Sequence, residues 1–220
     1  MKKLVGLLAM TLVLAGCFAA KPPAWLASGH KWLDTFKEDY LTNQEPKIAE
    51  TAFRKALQQI KNGGDFDLLA KAWLNRIALQ AAVLQEPNAG DYRNISAVES
   101  NPTNDNFFLF LTENVAVVDV SLLPAAYRPF CEALKARNVV MVADTVAGIK
   151  DPLSRLIASG LAVRNNLYSE ALILAAVKTA AENGWKRAHL AWLERLKTFY
   201  AVTANSEKAE AIGRRLDILR

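Results

Sequence analysis

Two cysteines, two histidines and a scatter of carboxylates are the residues in this 220-residue chain to weigh first for metal or thiol chemistry. A zinc site draws three or four ligands from Cys, His, Asp and Glu at close spacing. His30 and His189 each stand beside a Trp-Leu pair instead, and two His make a poor site for a metal that wants three or four protein ligands. Cys131 lies in YRPFCEALKA, where a thiol reads as a small core residue. Carboxylates such as Glu38 with Asp39, and Glu207 with Glu210, read as solvated helix faces. No glycine loop for phosphates, no HExxH and no GxSxG occurs. The expectation is therefore no catalytic, cofactor-binding or metal residue, and no cofactor.

Cys17 is different, because it closes the run MKKLVGLLAMTLVLAGC. Lys2 and Lys3 precede an apolar stretch over residues 4–15, short of the roughly 20 residues a membrane-spanning helix needs. Leu14, Ala15, Gly16 and Cys17 resemble the bacterial lipobox. The resemblance implies a signal peptide over residues 1–16, diacylglycerol on the Cys17 sulfur, acylation of the new amine, and a lipidated tether over residues 17–28. Several acyl chains hold a domain at a bilayer, at about 0.8 kcal/mol per buried methylene. Phe18 in place of aspartate implies, by the same sorting resemblance, the outer membrane with the body facing the periplasm. Removal of Lys2 and Lys3 leaves 25 basic against 22 acidic side chains, or +3, which is no signature of nucleic-acid binding.

The elements behind the anchor show themselves by repetition. A shift of 160 residues aligns residues 32–55 with residues 192–215 without a gap. Trp32 meets Trp192, Leu33 Leu193, Phe36 Leu196, Tyr40 Tyr200, Ala49 Ala209 and Glu50 Glu210. Spacings of one, three and four put the apolar members on one helical stripe in each half, with a polar turn between the halves. Each copy is thus a helix, a turn and a helix. Leu33, Phe36, Tyr40, Ala49, Phe53 and Ala56 resemble the packing positions of the tetratricopeptide repeat (TPR), a hairpin of about 34 residues. Lys37, Lys197 and Gly213 depart from that pattern, so the likeness is TPR-like. It implies an all-α fold, with antiparallel helical hairpins stacked as a short TPR-like α-solenoid.

Between the copies, residues 65–86 form an amphipathic helix, and residues 87–106 have the Gly, Pro, Asn and Ser content of a long polar connection. Residues 107–123 suit either a buried helix or a strand pair, and the lack of other strands favours helix. Residues 122–137 and 139–150 complete that stretch. Asp151 with Pro152 starts a further hairpin whose turn is Asn165 and Asn166. Residues 29–86 and 107–220 are expected to pack as one domain.

Trp32, Trp73 and Trp192 fall in apolar triplets and read as packing residues. Repeat proteins that clamp a peptide carboxylate place Lys, Arg and Asn on the inner helix face. The matching positions here, Lys31, Asp34, Thr35, Glu38 and Thr42, then Ala191, Glu194, Arg195, Thr198 and Val202, lack that set. Asp34, Glu38, Glu194 and Arg195 are the candidate partner surface. The expected function is that of a lipid-anchored envelope adaptor or assembly scaffold, binding envelope proteins and the membrane without catalysis. A small-ligand or glycan-binding module is the first alternative, and an enzyme without a recognisable motif the second.

Overall fold

The computed structural model describes residues 22–112 and 115–220, and among these the chain is all-helical with no strand. Its α-helices are α1 (Ala24–Thr42), α2 (Pro46–Gly63), α3 (Phe66–Ala82), α4 (Gly90–Ser96), α5 (Pro102–Thr112), α6 (Arg128–Lys135), α7 (Val139–Gly148), α8 (Pro152–Arg164), α9 (Glu170–Glu182), α10 (Lys186–Val202) and α11 (Ser206–Leu219). Three single turns of 3-10 helix, Val115–Val117, Val120–Leu122 and Ala125–Tyr127, lie between α5 and α6. No helix among the described residues is long and apolar enough to cross a membrane.

Local chemistry explains why these hairpins turn so tightly. The last carbonyls of a helix have no partner within it. At the ends of α3, α6, α8, α9 and α10 one residue enters the left-handed region: Leu84, Arg137, Asn166, Gly184 and Ala204. The amide after each returns to a carbonyl five residues back, as in Gln85 to Gln80 and Asn205 to Tyr200. That pair of bonds satisfies the orphan carbonyls and reverses the chain. Two residues then serve both helices of a hairpin. Asn138 and Asn205 complete one helix end with their amides and cap the next helix with their side chains. Asp65, Asp151 and Ser169 cap α3, α8 and α9 in the same manner.

The repeated hairpins keep their register. α1 ends at Thr42 and α2 begins at Pro46, while α10 ends at Val202 and α11 begins at Ser206, each 160 positions on. Phe36 and Leu196, Tyr40 and Tyr200, Ala49 and Ala209, Ala52 and Ile212, and Ala56 and Leu216 are all buried. The turns close differently, by Pro46 at the start of α2 and by the Asn205 cap of α11. Contacts also join elements far apart in sequence, since α3 packs on α8 and α1 on α10.

The centre of these contacts is the C-terminal end of α3. Ala81, Ala82 and Val83 are buried, and Gly160 of α8 lies so close that a β-carbon there would collide with the Ala81 carbonyl. The indole Nε1 of Trp192 donates to Ala82 O at 2.9 Å. Arg164 donates through Nη2 to Gln85 O at 3.2 Å and through Nη1 to Leu111 O. The Gln85 side-chain oxygen accepts from Tyr40 Oη at 2.6 Å and from Arg187 at 3.2 Å. Helices α1, α5, α8 and α10 thus meet on five residues of backbone.

Three expectations need correction. Residues 87–106 are not a bare connection, because α4 and the start of α5 lie within them. Tyr92 stacks on Phe108 with centroids 4.5 Å apart. Asp105 accepts from Tyr92, Ser96 and Ser100 at 2.7, 2.6 and 2.6 Å, and Asp67 accepts from Asn101 and Asn104 at 3.0 and 2.7 Å. The polar side chains that suggested a solvated loop are spent on two carboxylates. Next, residues 24–28 of the expected tether already belong to α1. Finally, Trp32 is half-buried with Lys55 Nζ 4.2 Å above its ring, whereas its match Trp192 is fully enclosed.

These contacts set the order of mutational cost. Trp192→Ala is expected to destabilise the helical body by about 3–5 kcal/mol, because it removes a large buried ring and strands the Ala82 carbonyl. Gly160→Ala forces backbone apart and is expected at or beyond the upper end of the roughly 1–3 kcal/mol typical of overpacking. Trp32→Ala should cost about 1 kcal/mol or less, as for surface and rim positions. Urea melts of the three variants check this ranking, and an equal loss for Trp32 and Trp192 contradicts it.

Candidate functional site

Asp34 and Glu38 lie exposed on α1. Asp34 Oδ1 is 3.1 Å from Lys37 Nζ, and the Glu38 carboxylate accepts from Thr42 Oγ1 at 3.1 Å. Both contacts are within one or two turns of the same helix, so the two carboxylates remain available to a partner. The α10 residues are placed otherwise. Glu194 is paired with Arg220, and the Arg195 guanidinium lies 4.5 Å above the Tyr168 ring with its Nε buried and unpaired. No hydrogen bond or ion pair among the described residues links Asp34 or Glu38 with Glu194 or Arg195. Arg195 packs Tyr168, in the turn ahead of α9, onto α10, which is a structural task that its matched position, Thr35, does not share. Cys17 lies outside the described residues, as do residues 1–16.

Asp34 also rims a cleft of about 190 Å3 where α1, α3 and α8 meet. Leu33, Phe36, Ala78, Leu79 and Ile157 form its apolar wall, with Lys37 and Asn75 at the mouth. A second depression, of about 440 Å3, runs along the hairpin of α1 and α2 beside Trp32 and Ile48. A third, of about 390 Å3, sits between the α9–α10 turn and the end of α11, with Trp185, Lys186 and His189 along it.

The titrating groups found by their geometry are structural. The Glu170 carboxylate accepts from Tyr200 Oη at 2.6 Å and from Lys208 at 3.2 Å. That bond to the carboxylate pushes the Tyr200 phenol up to about 12, and the same two donors hold Glu170 below its usual range. Burial pushes the Cys131 thiol up, away from thiolate, in keeping with its full enclosure in the core. Burial, with Arg215 nearby, pulls His189 down, while His30 is exposed. The Lys71 ammonium and the Asn104 and Asn101 amides hold Asp67 low. Burial opposes ionisation of Asp105, but the hydroxyls of Ser100, Ser96 and Tyr92 outweigh it and hold that carboxyl low as well. Among the described residues no group of three or more His, Cys, Asp and Glu could hold a metal ion.

Sequence patterns could not have found the Asp67 knot, because Asp67 and its Asn partners are 34 and 37 residues apart. The partner of Trp192, Ala82, is 110 residues away. No family model, no curated protein and no solved structure matches the chain.

Two outcomes follow from these placements. Asp34→Lys and Glu38→Lys should leave the melting temperature unchanged, whereas Arg195→Glu should lower it by severing α9 from α10. Asp67 and Asp105 have folded-state values below the unfolded value of about 3.9, so their stabilisation is complete above that pH and fades as acid titrates the folded carboxylates. Asp105→Asn should therefore lower stability at pH 7 and flatten its decline below pH 4. A variant that retains the wild-type acid slope shows the knot to be idle.

Proposed function

We propose that this chain is a lipid-anchored envelope protein whose hairpins form a short TPR-like stack and act as an adaptor or assembly scaffold for other envelope proteins. The observation that carries the reading is the run from Lys2 to Cys17, a charged start, an apolar stretch and Leu-Ala-Gly-Cys, placed directly ahead of an all-helical body. Cleavage before Cys17 and acylation of that residue would leave six residues between the lipid and α1, enough to hold the body beside the bilayer. In the body, the repeated hairpins support the adaptor role, because a helical hairpin cannot cover its own apolar face and is built to take a neighbour. The Phe18 position supports the outer membrane as the site of the anchor, with the body in the periplasm.

The apolar cleft between α1, α3 and α8 favours a second reading, a small-ligand module. Its volume of about 190 Å3 exceeds the roughly 150 Å3 of an engineered apolar cavity that takes up benzene.

Cys17→Ser tests the anchor. The variant should incorporate no palmitate analogue in cells and should accumulate as precursor or partition away from membranes. Equal labelling of variant and wild type removes the lipoprotein reading. For the adaptor role, detergent extracts carrying the anchored chain should yield a stoichiometric protein partner. Recovery of the chain alone shifts the reading to the ligand module.

A further inference from the structure

We infer that the groove beside Trp32 and Ile48 is the seat for a helical hairpin of a partner protein, added ahead of α1 as the α8–α9 hairpin is added ahead of α10. This rests on the adaptor reading and names its contact surface.

The internal repeat supplies the template. In the last hairpin, the positions matching Trp32, Thr35, Asp39 and Ile48 are Trp192, Arg195, Phe199 and Lys208. Trp192 is buried, Arg195 and Phe199 are partly buried, and Lys208 stays exposed but pairs with a residue that precedes α10. Trp192 is fully buried against Ala82, Arg195 lies over the Tyr168 ring, Phe199 meets the same ring at 6.3 Å, and Lys208 pairs with Glu170 at 3.2 Å. In the first hairpin nothing described stands in that place. Every residue lining the groove belongs to α1 or α2. Trp32 is half-buried and Ile48 is 46% exposed.

Between the copies Arg195 and Lys208 become Thr35 and Ile48, while Phe199 becomes Asp39, so the open groove sets an apolar Ile48 among polar side chains. Asp39 and Lys47 gather at the turn end of the groove, leaving Trp32, Ile48 and Ala52 as an apolar floor. An occupant of matching chemistry is a helix pair with an apolar or aromatic side chain for that floor and polar groups of both signs at its rim. An anionic lipid surface would select cations alone, whereas Asp39 sits in the groove beside Lys47.

The test is site-specific photo-crosslinking of the full, anchored chain in cells. A benzophenone amino acid replaces Thr51 in the groove or, as control, Lys61 in the last turn of α2, outside the groove. From position 51 we expect one adduct with another protein, mapped by fragmentation to a helical segment, and none from position 61. Ile48→Glu in the same chain should cut the yield about tenfold or more, as loss of an interface anchor does. Its purified soluble body should melt like wild type, since Ile48 contributes little to the core. An adduct with a second copy, an adduct with lipid only, equal yield from position 61, or a yield unmoved by Ile48→Glu overturns the assignment. In that event a partner still recovered by Ile48→Glu leaves the adaptor reading standing on another surface, and no partner from wild type removes both.

Discussion

The end of α3 is the constraint on which the rest of this structure depends. A buried helix terminus leaves carbonyls that must be paired, and here the partners come from across the chain. Trp192 takes Ala82 O, Arg164 bridges Gln85 O and Leu111 O, and Gly160 lets α8 approach the Ala81 carbonyl. Leu84 is turned into the left-handed region to make this possible, a conformation that a leucine adopts only when its surroundings impose it. Its amide and that of Gln85 close the helix end, and the Gln85 side chain then gathers Tyr40 and Arg187. First and last hairpins are thereby locked to the same short stretch of backbone.

What could be read from sequence was whatever is encoded locally. The cap at Asp151, the turn at Asn165 and Asn166, and the two matched hairpins depend on neighbours within a few residues, and each lies where its residues place it. Burial was harder to read, because similar local patterns can meet different surroundings. Trp32 and Trp192 are each followed by Leu and an acid, yet only the second is fully enclosed, with its indole on Ala82 O. Residues 87–106 show the same limit in polar form. Their Ser and Asn side chains have the composition of a loop, and only the positions of Asp67 and Asp105 turn them into structure.

The candidate partner surface divides along the same line. Asp34 and Glu38 have only short-range contacts on an open helix, while Arg195 is committed to Tyr168. A pattern of charges at matched positions therefore does not make one continuous face. The asymmetry between the hairpins is more informative than their likeness, since it separates the residues that hold the fold from those still facing outward.

The proposed anchor at Cys17 is what would make the body a membrane platform, and the mass of the mature N-terminal peptide tests it most directly. Protein extracted from membranes should yield a peptide that begins at Cys17 and carries diacylglyceryl and N-acyl groups. A peptide that begins upstream of Cys17, or one that carries Cys17 without lipid, would contradict the account.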